Sequence, residues 1–351
     1  MKAVRIHAYG GIDQLLYEDA PDPNISSPGE VIVELKAASL NHIDLWNRRG
    51  RTGIQLDFPH ILGADGAGIV IETGREVDNV RPGDAVCLYP ASGCGQCEFC
   101  RTDRDFMCIR VRVLGERLPG TYAEYVKIQA RNCFPIPAGF SFEEAAAFPL
   151  VHITVWRMLV INGGLQPGDR VLILGVGGGV ASAALLLALR MGARVMVTSG
   201  SDEKLEKARA LGAEHGINHH ATDFAKEARQ WTGKRGVDLV VDCAGGEGWP
   251  KSLAALAKGG RLVTCGATAG PCAPTDIRRV FWNQLKIFGS TLGSRADFQQ
   301  ALDFANATGT KPIVDRAFDL TEARAAQQRL EAGKQFGKIV LRIGKASESV
   351  V

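Results

Sequence analysis

The sequence predicts an α/β protein in which a β-rich first half, a barrel or sandwich, precedes a doubly wound parallel sheet. Two observations carry this. Before residue 150, short β-rich runs are separated by Pro-Gly and Thr-Gly turn signals, and after Pro167-Gly168 apolar strands alternate with helical stretches. The size agrees: 351 residues, 46% hydrophobic and 23% charged, make an ordinary globular composition with room for about two domains of roughly 100–200 residues each.

In the first half, Val31–Leu35, Gly68–Glu72 and Asp84–Tyr89 are the β-rich runs, bounded by Ser27-Pro28-Gly29, Thr73-Gly74 and Arg81-Pro82-Gly83. In the second, the expected strands are Arg170–Gly175, Ala193–Ser199, Gly216–His219, Val237–Cys243, Arg261–Ala267 and Leu285–Leu292. Helices are expected at Val180–Met191, at Ser201–Leu211 with Ser201 as N-cap, and at Lys251–Ala257. Beyond Gly293 follow a helix (Ala296–Asn306), a strand (Pro312–Phe318), a helix (Thr321–Ala332), a strand (Gly337–Arg342) and a frayed tail over 345–351.

Val171–Leu189 has nineteen uncharged residues, about the length of a membrane span. Its central glycines would make a poor helix, so it reads as strand, turn and helix, and no membrane partner is expected. A net charge of +3 with mixed signs lacks the concentrated basic face that nucleic acid requires. The opening MKAVRIHAYGG has no apolar signal region, which predicts a cytoplasmic protein.

Gly175-Val176-Gly177-Gly178-Gly179-Val180 follows a strand and opens a helix. Glycines there let the backbone approach a pyrophosphate, whose charge the helix N-terminus stabilises. Gly175, Gly177, Gly178, Gly179 and Val180 are therefore candidate dinucleotide contacts, with Gly266 after the fifth strand as another. The second strand ends in Thr198-Ser199-Gly200-Ser201, without the carboxylate that hydrogen-bonds an NAD ribose. Ser199 and Ser201 can donate to a 2′-phosphate and Lys204 adds positive charge, so NADPH is expected over NADH. The competing reading folds Asp202 or Glu203 back onto the ribose.

Nine cysteines are unevenly placed. Cys94-x2-Cys97-x2-Cys100-x7-Cys108 has the ligand spacing of a closed four-thiolate site, predicting one structural Zn²⁺ per subunit, and Gly93 and Gly95 allow the chain to wrap around it. An iron–sulfur cluster or reduced thiols are the alternatives. The other five are expected to be buried thiols without a role in catalysis.

These features, with Gly63-Ala64-Asp65-Gly66-Ala67-Gly68, Lys204-Leu205-Glu206-Lys207-Ala208, Leu211-Gly212-Ala213 and Gly337-Lys338-Ile339-Val340-Leu341, resemble the medium-chain dehydrogenase/reductase superfamily over nearly the whole chain. The resemblance implies a GroES-like β-barrel catalytic domain (1–149, zinc lobe 94–108), a Rossmann nucleotide-binding domain (150–292), and a C-terminal segment (293–351) returning to the barrel. It also implies a small-molecule substrate held between the domains, and a homodimer or homotetramer whose sheets pair around Phe288–Leu292.

Departures from the family point to the chemistry. The positions that hold catalytic zinc in alcohol dehydrogenases fall at Asn41, Ala64 and Leu150, and the hydroxyl relay at Ile43, none of which suits those tasks. Asn41-His42-Ile43-Asp44 and Phe148-Pro149-Leu150 with Thr154 instead resemble the quinone oxidoreductase branch, although many of its members lack the cysteine lobe. That branch implies Asn41 as a substrate contact, with a turn cap as its competing role, and Thr154 near the nicotinamide. His42 and His152 are candidate proton donors or satisfied histidines, and His219 stands where relatives often place a tyrosine near the adenosine phosphate. The expected activity is NADPH-dependent hydride transfer to a quinone or α,β-unsaturated carbonyl compound without catalytic zinc. The alternatives are an alcohol dehydrogenase with metal held by Asp65, His42 or His152, and a non-catalytic cofactor-binding protein.

Overall fold

A computed structural model describes residues 1–51 and 53–344; the tail expected over 345–351 lies outside the described residues. The chain divides into two compact units, Met1–Leu150 with the stretch from Ser294, and Val151–Gly293.

The first unit opens with strands β1 (Lys2–Ile6), β2 (Leu16–Asp19) and β3 (Glu30–Ser39), helix α1 (His42–Arg49), and strands β4 (His60–Ile61), β5 (Asp65–Thr73) and β6 (Ala85–Leu88). Short strands β7 (Ala91–Ser92) and β8 (Arg112–Val113) flank the cysteine lobe, and β9 (Tyr125–Gln129), β10 (Cys133–Pro135), α2 (Phe142–Ala147) and α3 (Pro149–Trp156) follow.

The second unit contains β11 (Arg170–Ile173), α4 (Gly179–Arg190), β12 (Arg194–Ser199), α5 (Asp202–Ala210), β13 (His215–Asn218), α6 (Phe224–Trp231), β14 (Val237–Asp242), α7 (Trp249–Ala255), β15 (Leu256–Thr264), α8 (Ile277–Trp282) and β16 (Lys286–Gly289). The chain then returns to the first unit through α9 (Arg295–Thr308), β17 (Val314–Asp319), α10 (Ala323–Glu331) and β18 (Lys338–Arg342).

The first unit is organised around β3. Val31, Val33 and Leu35 alternate into one core with Ile6, Val70, Val126 and Leu341, as a strand covered on one face requires. The sheet runs β10-β6-β5-β3-β18-β17, with β9 also paired to β3. Two registers position the site. Ser39 on β3 lies opposite both Asp65 on β5 and Val340 on β18. Continued two residues, the antiparallel β3–β18 register sets Lys338 opposite Asn41.

The second unit is a six-stranded parallel sheet of order β13-β12-β11-β14-β15-β16. This is the doubly wound arrangement, with its topological switch between β11 and β14. Leu172, Met196, Val240 and Leu262 pack in the core beneath α6 and α7. The uncharged run from Val171 to Leu189 resolves into β11, the glycine turn and α4, and among the described residues no helix is long and apolar enough to cross a membrane. The helix expected through Ala257 stops at Ala255, and β15 begins at Leu256, ahead of the expected Arg261. Its pairing with β14 skips between Leu256 and Arg261, which accommodates Gly259 at φ +72.

Candidate functional site

At the junction of β3, β5 and β18 the structure buries a complete polar network. The Asp65 carboxylate, fully buried, accepts four donors: Ser39 Oγ (3.0 Å), Asn41 Nδ2 (2.8 Å) and Lys338 Nζ (3.0 Å) on Oδ2, and the Leu150 N–H (2.8 Å) on Oδ1. The Lys338 ammonium donates also to Leu40 O (2.7 Å) and Asn41 Oδ1 (2.6 Å), so its three protons each have an acceptor. Asn41 is engaged at both ends of its amide, and its N–H donates to Asp44 Oδ2 (2.8 Å) at the start of α1. Asn41 thus caps α1 and braces Asp65 and Lys338, a positioning role; substrate contact would have to share an amide already held.

Asp44 also accepts from the Tyr122 hydroxyl (2.9 Å). Burial raises its pKa to about 6, outweighing these two hydrogen bonds. His42 opens α1, its ring 6.3 Å from that of Trp46. Desolvation by the surrounding protein lowers its pKa, and the Lys338 ammonium adds to the shift. Thr154 is buried and His152 half-buried on α3.

In the second unit Gly175 turns the chain at φ +70 after β11, a conformation that favours glycine. Gly178 is the N-cap of α4 and offers no side-chain cap to the first-turn N–H groups of Gly179 and Val180. A Cβ at Gly178 would meet nothing nearer than Gly175 O at 3.5 Å, so the helix end is open to an anion. Gly177 completes the turn.

At the end of β12, Ser199 Oγ accepts the Ser201 N–H (3.1 Å), and Ser201 Oγ caps α5 through the Lys204 N–H (3.5 Å). Each hydroxyl accepts a backbone bond and keeps its own proton to donate. Asp202, the rival ribose ligand, accepts from Asn218 Nδ2 (2.9 Å). His219 lies beside His220, ring centroids 4.6 Å apart, and burial followed by this neighbour lowers its pKa. A Cβ at Gly200 would come within 2.5 Å of the His220 ring, so Gly200 is what lets that imidazole approach the strand end. His220 was not among the expected contacts; the His219-His220 doublet after β13 is its sequence signal. Gly266 follows β15, where a Cβ would stand 3.1 Å from Cys243 O.

The four cysteines converge. All their sulfurs lie within 4.8 Å of one another, with Cys97–Cys100 at 3.5 Å and Cys94–Cys100 at 4.0 Å. Tetrahedral zinc with Zn–S near 2.3 Å needs S–S separations of roughly 3.8 Å, so the residues fit the ion. Backbone N–H groups of Gln96 and Cys97 lower the Cys94 pKa to about 6, whereas burial pushes Cys100 up to about 12. Four adjacent thiolates need a cation for all to ionise; zinc held by Cys94, Cys97, Cys100 and Cys108 would supply it and organise the lobe. Gly95 adopts φ +75, and a Cβ on Gly93 would stand 2.5 Å from Cys100 Sγ. Arg295 on α9 pairs with the buried Asp105 of the lobe.

The five other cysteines divide. Cys87 and Cys133 are buried as expected, but Cys243 and Cys265 are partly exposed and Cys272 exposed, because these three lie beyond strand ends and in a loop.

Residues 27–138 match the alcohol dehydrogenase GroES-like domain and residues 179–307 the zinc-binding dehydrogenase family. A zinc-type alcohol dehydrogenase-like protein of Schizosaccharomyces pombe is 35% identical over 345 residues, covering 95% of this chain and 96% of the relative. The chain belongs to the medium-chain dehydrogenase/reductase superfamily. Among superfamily structures, an NAD-dependent alcohol dehydrogenase is 43% identical with a TM-score of 0.94, covering 98% of this chain and all of that one. A crotonyl-CoA carboxylase/reductase is 25% identical with a TM-score of 0.93, covering all of this chain and 90% of that one. Membership makes this dehydrogenase/reductase a zinc-family oxidoreductase using a nicotinamide cofactor.

Proposed function

We propose that this oxidoreductase is an NADPH-dependent reductase of quinones or α,β-unsaturated carbonyl compounds that works without a catalytic zinc. One observation carries the reading: Asp65 ties Asn41 and the Leu150 N–H together with Lys338, at two of the three positions, Asn41, Ala64 and Leu150, that the family resemblance gives for the catalytic zinc ligands. Ala64 and Leu150 have no donor. Asp65, the obvious substitute ligand, already accepts four hydrogen bonds.

Bound NADPH supplies the hydride. Addition to a conjugated β-carbon moves charge onto a carbonyl oxygen, which hydrogen-bond donors stabilise without a Lewis acid. The preference for NADPH is supported by the donor hydroxyls of Ser199 and Ser201, by Lys204, and by Asp202 being held on Asn218. The parallel sheet ends at β16, beside the exposed Ile277, Phe281 and Trp282 of α8, which supports assembly into a homodimer or homotetramer through that edge.

The second reading, alcohol oxidation with NAD, is favoured by the likeness to the 43% identical NAD-dependent alcohol dehydrogenase. A panel of quinones, enones and alcohols assayed with both cofactors separates the two, together with zinc analysis. Enone or quinone reduction by NADPH with about one zinc per subunit is expected from a single four-thiolate site. Two zincs per subunit with chelator-sensitive alcohol oxidation overturns the proposal. No turnover alongside tight NADPH binding supports a non-catalytic protein.

A further inference from the structure

Cys243 and Cys265 follow the adjacent parallel strands β14 and β15, each one residue beyond the last registered pair, Asp242–Thr264. Neighbouring strands lie about 4.8 Å apart, inside the roughly 4.4–6.8 Å Cα separation that a disulfide spans. Their sulfurs are 3.4 Å apart and share a hydrogen bond. The chain after each cysteine is tied to the other: Ala269 N–H donates to Ala244 O (2.8 Å) and Gly246 N–H to Gly270 O (3.0 Å). Gly266 permits this closeness. Both cysteines are partly exposed, unlike Cys87 and Cys133.

All six strands are parallel and β14 adjoins β11, so the thiol pair stands at the same sheet edge as the glycine turn, where doubly wound folds bind their ligands.

We propose that Cys243 and Cys265 are an oxidative modification site, closed to a disulfide by hydrogen peroxide and shielded by the bound dinucleotide. The Cys265 sulfur attacks one peroxide oxygen, the O–O bond breaks, and a sulfenic acid and a hydroxide form. The Cys243 sulfur then attacks the Cys265 sulfur, forming the S–S bond and releasing the sulfenic oxygen as water. Overall two thiols are oxidised, one peroxide is reduced, and both thiol protons end on the two waters produced. Hydrogen bonding to Cys265 and burial hold the Cys243 thiol well above its ordinary pKa, which fits Cys243 as the second thiol to react. A partly exposed linkage between paired strands is within reach of thiol reductants.

The test uses the full zinc-loaded chain, treated with stoichiometric hydrogen peroxide, alkylated with N-ethylmaleimide and mapped by mass spectrometry without reductant, with zinc release followed by a colorimetric chelator. A Cys243–Cys265 peptide lighter by two hydrogens is expected, with zinc retained. Dithiothreitol should reverse it, Cys243→Ser or Cys265→Ser should abolish it, and saturating NADPH should slow it several-fold. Three results overturn the proposal: unchanged alkylation of both residues, over-oxidation of Cys265 with Cys243 still alkylated, and cross-links confined to Cys94–Cys108 with zinc loss. Equal rates with and without NADPH overturn the shielding.

Discussion

Lys338 places its ammonium 3.0 Å from the Asp65 carboxylate, with 3% and 0% of the two residues exposed. The pair joins β18 to β5, and through Asn41 and the Leu150 N–H it holds the start of α1 and of α3. A buried pair is costly to form and costlier to break, because removing one partner strands the other's charge.

Lys338→Met should therefore destabilise the first unit by about 3–5 kcal/mol. In a unit of this size that lowers its melting temperature by roughly 2–4 °C per kcal/mol. Asp65→Asn combined with Lys338→Met removes both charges and should recover part of the loss. Calorimetry of the two single variants and the double checks this; additive losses would refute the coupling.

Asp44 gives the protein a pH dependence of definite sign. Its folded pKa of about 6 lies above the unfolded carboxyl value near 3.8, so between these the folded state holds more protons. Stability therefore falls as pH rises from about 4 to 6, by on the order of 2–3 kcal/mol from this group. Asp44→Asn, neutral throughout, should flatten that segment of the profile and gain stability at pH 7. Urea midpoints measured across the range read it directly.

Much of this was legible in the sequence. The strand–helix alternation after Pro167, the Gly175–Gly179 turn and the Cys94–Cys108 spacing are all local patterns. The Asp65–Lys338 pair spans 273 residues and exists because β3 pairs with β5 on one side and β18 on the other, a register no local pattern encodes. The sequence offers Asn41 as a substrate contact or a turn cap but not as a brace for the same reason: its partners Asp65 and Lys338 come from two other strands. The start of β15 was missed because Lys258-Gly259-Gly260 reads as a turn, whereas the strand absorbs it as an irregularity in pairing. Cys243 and Cys265 lie 22 residues apart and become neighbours only through β14–β15 pairing.

Zinc should stabilise the lobe without taking part in the chemistry. Cys97→Ser is expected to lower bound zinc from about one per subunit towards none, since a structural site closes with four ligands. Arg295→Ala removes the counter-charge of buried Asp105 while leaving all four ligands, so zinc should be kept but lost faster to a chelator. Elemental analysis and chelator kinetics check the two; unchanged release in Arg295→Ala would show that the lobe is held independently of α9.

Cofactor choice rests on the end of β12. Lys204→Ala should weaken NADPH binding roughly tenfold, the worth of one charge-assisted hydrogen bond, and leave NADH nearly unaffected, because only NADPH carries the 2′-phosphate. Ser199→Asp should go further, placing a carboxylate where it repels the phosphate and can accept from a ribose hydroxyl, so the preference moves towards NADH. His219, its pKa lowered by burial and by the neighbouring His220, adds a pH signature. A bound 2′-phosphate favours the protonated ring, so NADPH affinity should rise as pH falls towards the lowered pKa of His219, and rise more than that of NADH, which lacks that phosphate. Fluorescence titrations of both cofactors across pH test all three effects; tighter NADH binding by the unmodified protein would overturn the assignment of Ser199 and Lys204.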